Sequence, residues 1–342
     1  MKLPRFGMGC SSLGNLYRRL SDVEAQAAVV AAIKAGVRYF DTAPFYGFGL
    51  SERRLGLALA ALQASNVSDL VISTKVGRKL KPAPAPPPTQ TIPTQYGFVD
   101  PSPFEPIFDY TFEGVMASYE ESLARLRQPR VNILLAHDLG VQTHGAAAAR
   151  MTADFLAGGY EAMVRLRAAG RVDAIGIGVN ETLICEELLG QVELDVILLA
   201  GRYTLLEQGA LALLNRCAQL GVKVIVGGPF NSGLLVTPPD STVVRYNYEN
   251  APRDMLDRAQ ALRTLCDQFH TPLAAAALHY PLAHPAVNCV LPGLANVAEV
   301  KQALAWRDLD IPGELWTRLR REGLIAAEAP IPDAATLDSA RQ

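Results

Sequence analysis

At 342 residues, with 49% hydrophobic and 19% charged side chains, the chain is long enough for one large α/β domain, and its globular balance excludes general disorder. A formal net charge of -2 leaves no basic surplus to attract nucleic acid or an anionic membrane surface. Pro, Gly or a charge interrupts every apolar run before the roughly 18 residues that cross a bilayer.

The opening MKLPRFGMG has no signal-peptide core or cleavage site, so a cytoplasmic protein is expected. Cys10, Cys185, Cys217, Cys266 and Cys289 are odd in number and widely spaced, which suggests neither a disulfide framework nor a zinc site. Four of them lie in apolar or helical surroundings. The five histidines form no H-E-x-x-H or similar cluster, and no metal site is expected.

In chain order, short β-branched runs predict strands over 5–10, 37–43, 69–76, 131–138, 173–179, 194–201, 223–230 and 286–293. Helical periodicity fills the spaces between them. The segment 22–36 opens after a Ser21 cap and closes on Gly36, and 111–127 and 160–170 carry the same period. Uniformly apolar strands alternating with helices imply a parallel sheet covered by helices. Eight of them favour a (β/α)8 TIM barrel, here a single domain over 1–342 with long loops at its C-terminal face. No G-x-G-x-x-G links a strand to a helix; the glycines of GMGCSSLG have the wrong spacing. Two segments break the alternation: the Pro-rich 78–110, read as a long loop, and 231–254. Both would rise over the barrel mouth. The tail 331–342 is polar, Ala-rich and expected to fray.

Polar residues terminate three apolar strands: Asp41 after VRYF, Lys75 after LVIST and His137 after VNILLA, with Tyr46 in the loop APFYGFG. Each has a bland alternative: a helix cap, a surface ion pair, a hydrogen-bonded core histidine. Together they place an acid, an amine, an imidazole and a phenol at one barrel rim, a convergent site. An ammonium beside a phenol is expected to lower the phenol pKa, with a carboxylate keeping the ammonium charged and oriented. A neutral histidine can hold a substrate oxygen. This set suits proton transfer coupled to hydride transfer.

The segments FDTAPFYGFGLSERRLG (40–56), ISTKVG (72–77) and LLAHD (134–138) resemble the signature segments of the aldo-keto reductase family. The resemblance runs from about residue 5 to about residue 325 and implies a nicotinamide-dependent oxidoreductase with a tetrad of Asp41, Tyr46, Lys75 and His137. LLAGRYTLLEQGAL (198–211), GGPFNSGLL (227–235) and TPLAAAALHYPLAHPAV (271–287) are similar to the D-threo-aldose 1-dehydrogenase and L-fucose dehydrogenase branch. That branch implies oxidation of the anomeric carbon of an aldose to a lactone. The alternatives are pyridoxal or another aldehyde or alcohol as substrate, and a regulatory barrel that holds a cofactor without turnover.

The family pattern is not kept throughout. Gly227 stands where many members stack a Tyr on the nicotinamide, and Ala200 where a Gln usually holds the carboxamide. Asn180 is left as the carboxamide partner. The resemblance assigns cofactor contacts also to Cys10 and Ser11 after the first strand and to Phe230, Asn231, Ser232 and Gly233 for the pyrophosphate. Gly293, Leu294, Ala295 and Glu299 follow the last strand, with Gly293 and Glu299 replacing the Lys and Arg that clamp the 2′-phosphate of NADP. NAD is therefore expected over NADP, with Lys301 near enough to bind phosphate instead. Phe45, Phe48 and Tyr248 are expected to wall a sugar or aldehyde, helped by Arg245, Tyr246, Asn247, Tyr96 and Phe98. No nucleic-acid or membrane partner is expected, and the sequence does not set the oligomeric state.

Overall fold

The computed structural model describes residues 2–62, 69–83, 97–238 and 241–333. Eight strands form one sheet: β1 (Met8–Gly9), β2 (Tyr39–Asp41), β3 (Val71–Val76), β4 (Ile133–His137), β5 (Ala174–Val179), β6 (Val196–Ala200), β7 (Lys223–Gly227) and β8 (Val287–Leu291). Successive strands are neighbours, and all pair in parallel. Parallel bridges joining Phe6 to Val290 and Gly9 to Gly293 close the sheet on itself. The closing hydrogen bonds run from Gly7 N–H to Val290 O at 3.0 Å and from Gly9 N–H to Pro292 O at 2.8 Å. The fold is the (β/α)8 barrel that the eight runs imply. β1 and β2 are much shorter than their expected runs of 5–10 and 37–43; at β1 the isolated bridge at Phe6 carries the pairing further.

The strands are apolar on both faces because each face is buried. Tyr39, Ile133, Leu135, Val196, Leu198, Ile225 and Leu291 belong to a small cluster of their own, while alternate residues such as Leu134, Ile175, Ile197 and Val224 join the larger layer shared with the helices. The helix Asp22–Lys34 starts at Ser21, whose Oγ accepts from Glu24 N–H at 3.2 Å while Glu24 Oε2 accepts from Ser21 N–H at 2.8 Å. The helix Phe112–Leu126 is tied to the barrel through Glu52, which is fully buried. Glu52 Oε1 accepts from Thr74 Oγ1 and Oε2 from Arg125 Nε, both at 2.6 Å. All five cysteines are buried and free. No described helix is long and apolar enough to cross a membrane.

The segment 78–110 is not a structureless loop. Arg78–Pro82 pairs antiparallel with Phe104–Phe108 as a ribbon, beginning with Arg78 opposite Phe108. Its prolines conceal the pattern, since Pro is tolerated on a strand with a free edge. Residues 84–96, including Tyr96, lie outside the described residues, as does the tail from 334. The 231–254 connection carries a second, two-residue ribbon, Arg245–Tyr246 with Glu249–Asn250. Its turn residues Asn247 and Tyr248 are both left-handed, at φ 48° and 68°.

Candidate active site

Asp41 ends β2, Lys75 is the penultimate residue of β3 and His137 ends β4, so three adjacent strands deliver them to one rim. Tyr46 comes from the turn after β2. That turn is clamped backbone-to-backbone against the turn after β1: a Cβ on Gly47 would stand 2.4 Å from Gly14 O, and one on Gly14 would stand 2.5 Å from Tyr46 C. Only glycine fits at either position. Ser51 adds a side-chain tie, donating from Oγ to Cys10 O at 2.7 Å.

Lys75 and Asp41 are almost wholly buried. The Lys75 ammonium donates to Asp41 Oδ2 at 2.6 Å, Thr42 O at 2.9 Å and Tyr46 Oη at 3.1 Å, which occupies all three of its N–H bonds. Asp41 Oδ1 accepts from Ser73 Oγ at 2.6 Å. Because Ser73 has one proton, Tyr39 must be the donor across its 2.9 Å contact with Ser73. The chain Tyr39–Ser73–Asp41–Lys75–Tyr46 thus has a fixed direction. Tyr46 accepts from Lys75 and keeps its own proton for the mouth.

Burial and the nearby carboxylates Asp41 and Asp138 push the Tyr46 phenol well above its ordinary range, and Arg78 opposes them. This runs against the expectation of a lowered phenol, because burial, the largest cause, outweighs the neighbouring ammonium. Burial, helped by the cations Arg78 and Lys75, holds His137 well below the ordinary histidine range, so its imidazole is neutral. The ring stands edge-on to Tyr46 (centroids 5.8 Å apart) and to Phe45 (5.9 Å). Its backbone is fixed by Tyr110, which donates from Oη to His137 O at 2.5 Å.

Phe45 stands beside His137 at the rim and packs against Phe98 at 5.4 Å. Phe48 is buried and meets both the Phe45 and the Phe98 rings, so its role is to support Phe45. Tyr248 is more than half exposed, but burial of its hydroxyl and the nearness of Tyr46 and Asp138 push its phenol up. Sequence reasoning missed Arg78 and Asp138, which sit beside His137 as an ion pair. The signal was the charged residue following each rim motif, in TKVGR and LLAHD.

The cofactor candidates divide. Ser11 and Gly293 meet where β1 and β8 close the barrel: a Cβ on Gly293 would be 3.9 Å from Ser11 Oγ. Gly201 and Gly228 leave the β6–β7 rim bare, a Cβ at Gly228 meeting nothing nearer than Gly201 N at 4.0 Å, whereas at Gly227 a Cβ would already stand 3.0 Å from Leu198. Above it Asn231, Ser232 and Gly233 run left-handed in succession, and Asn231 Oδ1 is buried without a partner among the described residues. A bare rim beneath an orphaned acceptor fits a nicotinamide nucleotide. Asn180 follows β5, its carbonyl accepting from Arg202 Nε at 2.6 Å. Cys10 does not reach this surface: its side chain is fully buried, and its N–H and C=O bond Asp41 O and Ser51 Oγ. Phe230 turns its ring into the core against Trp306, leaving only backbone to offer. Leu294 and Ala295 are buried, and Ala295 N–H donates to Glu299 Oε2 at 2.7 Å. Glu299 Oε1 pairs with Arg18 at 2.5 Å, so its charge is already partnered.

The model of the aldo/keto reductase family matches residues 5–321, and the chain belongs to that family. It is an NAD(P)-dependent oxidoreductase. A pyridoxal 4-dehydrogenase from Microbacterium luteolum is 38% identical, over 94% of both chains. A D-threo-aldose 1-dehydrogenase from a Pseudomonas species is also 38% identical, over 95% of both. Among solved structures, the holo form of an aldo-keto reductase from Bacillus halodurans superposes with a TM-score of 0.70 at 22% identity. It covers 99% of this chain and 95% of its own.

Proposed function

We propose that the chain oxidises the anomeric carbon of a neutral aldose, of the L-fucose or D-threo type, to its lactone, with NAD as the preferred acceptor. The observation that carries this reading is the directed chain from Asp41 through Lys75 to Tyr46, opening beside a neutral His137. The nicotinamide supplies a hydride acceptor when bound; Asn180, Asn231, Ser232, Gly233, Ser11 and Gly293 are the residues that would hold it. In oxidation the Tyr46 phenolate, steadied by the Lys75 N–H directed at its oxygen, takes the proton of the substrate hydroxyl and becomes the neutral phenol. His137 fixes the substrate oxygen without adding charge. Reduction runs the same groups backwards, with Tyr46 as acid. The similarity to a D-threo-aldose 1-dehydrogenase supports the sugar.

NAD is favoured because neither Gly293 nor Glu299 offers a cation, and the Arg18 charge is matched by Glu299. The equal similarity to a pyridoxal 4-dehydrogenase supports a second reading, in which a flat ring rests on Phe45. A panel of aldoses, pyridoxal and simple aldehydes with NAD or NADP, followed by NAD(P)H absorbance, separates the two. Turnover of pyridoxal with no turnover of any sugar would overturn the aldose reading, and no turnover at all would favour a cofactor-holding regulatory barrel.

A further inference from the structure

The proton chain through Tyr46 leaves the Arg78–Asp138 pair without a role. Asp138 follows His137 directly and has a left-handed backbone, φ 51°, which Asp tolerates better than most residues. Its Oδ2 accepts from Arg78 Nη2 at 2.5 Å and lies 3.4 Å from His137 Nε2. Arg78 arrives from a different element, the first residue of the ribbon after β3. It lies over the Phe45 ring, with its guanidinium carbon 3.9 Å from the centroid, and the Phe108 ring is 5.1 Å away. Arg78 is 5% exposed and Asp138 9%, yet Arg78 Nε has no partner among the described residues.

A buried ion pair recovers its desolvation cost only when its remaining donors and acceptors are also satisfied. This one has an unmatched N–H and sits at the rim where catalysis is placed. Its net charge is zero, so it does not recruit an anion. It offers a strong acceptor and a strong donor side by side on an aromatic platform, which complements two neighbouring hydroxyls of a neutral polyol. With the reacting oxygen held between Tyr46 and His137, the carboxylate 3.4 Å from the imidazole is within reach of the next hydroxyl along the carbon chain.

We infer that Asp138, held by Arg78, is a specificity-determining residue that accepts a hydrogen bond from the hydroxyl on the carbon next to the reacting carbon. The inference rests on the aldose reading. It is tested by measuring kcat/KM for the best aldose and its 2-deoxy analogue with wild type, Asp138→Asn and Arg78→Lys. Wild type should prefer the hydroxylated sugar by about 10²-fold or more, because the analogue leaves a buried acceptor unpaired. In Asp138→Asn the preference should fall below about tenfold, through loss on the parent sugar with the analogue nearly unaffected. Arg78→Lys, which keeps the charge but loses the planar fork, should lower the preference in the same direction. The ratio does not depend on the fraction of folded enzyme. If wild type oxidises aldoses but both variants keep the wild-type ratio, Asp138 is only a packing residue and the inference falls. If wild type oxidises no aldose, the aldose reading itself falls.

Discussion

Tyr46 receives a hydrogen bond from Lys75 across 3.1 Å, so its own proton is free to point at the barrel mouth. Tyr46→Phe should therefore lower kcat by about 10²–10⁴-fold, the usual contribution of general acid–base catalysis. Nucleotide affinity should change little, because the lost hydroxyl acts chiefly in the transition state. Steady-state kinetics together with fluorescence titration of the nucleotide check both halves, and near-normal turnover would refute the assigned role.

The raised Tyr46 phenol makes the two directions of the reaction differ in pH dependence. The protonated form is the acid for reduction and persists through neutral and mildly alkaline pH. The deprotonated form is the base for oxidation and grows only as pH rises. The oxidative rate should climb to at least pH ~10, the ordinary tyrosine value, without levelling off. Lys75→Met removes a donor to the phenol oxygen and should push that climb to still higher pH. A plateau near neutrality in wild type would contradict the raised phenol.

Acid should destabilise the fold through its buried imidazoles. Burial holds His137 well below the ordinary value and lowers His284 to about 4. In His284 the Nδ1 atom accepts from Ala286 N–H at 3.2 Å, a bond that protonation would break. Unfolded imidazoles take up a proton near pH ~6.5, so this contribution is fully present above that pH and is lost as pH falls towards the folded values. Tm measured by circular dichroism should drop between neutral pH and pH ~5. His284→Gln should show a smaller drop.

NAD should give a higher kcat/KM than NADP. Glu299→Gln leaves the shape of the helix start intact while removing the charge that neutralises Arg18, so it should narrow the preference mainly by lowering KM for NADP. A wild-type preference for NADP of about tenfold, roughly 1.4 kcal/mol, would mean that Arg18 or Lys301 already binds the phosphate.

Glu52 joins the barrel wall at Thr74 to the helix residue Arg125 from a fully buried position. Glu52→Ala leaves the buried Thr74 hydroxyl without its acceptor and Arg125 Nε without its carboxylate, with only Ser122 and Glu121 still facing the guanidinium. By analogy with other broken buried pairs it should cost about 3–5 kcal/mol. Urea unfolding measures this directly, and a loss below about 1 kcal/mol would show that water replaces the carboxylate.

The barrel was legible because its strands are buried on both faces and therefore uniformly apolar. Asp41, Lys75 and His137 stood out because each is a polar residue at the end of such a run. Arg78 and Asp138 did not, since their partnership spans 60 positions and depends on the ribbon delivering Arg78 to the rim. The role of Glu299 was also out of reach of the sequence: what read as a carboxylate standing in place of a phosphate-clamping Arg is bonded to Ala295 N–H and Arg18. Cys10 lay in the right segment, but side-chain direction, which spacing alone does not give, turns it into the core. The ribbon within 78–110 was hidden by prolines that its edge geometry accepts.

That ribbon gives the mouth a modular construction. Its barrel-proximal pair, Arg78 with Phe108, adjoins the Asp138 contact, and its far end opens at Pro82 and Phe104. The return leg is tied to the rim independently of that pairing: Phe98 packs against Phe45, and Ser102 N–H donates to Gly47 O at 3.0 Å. A library confined to 84–96 changes none of the residues that make these ties, the Arg78–Asp138 pair or the Tyr46 site.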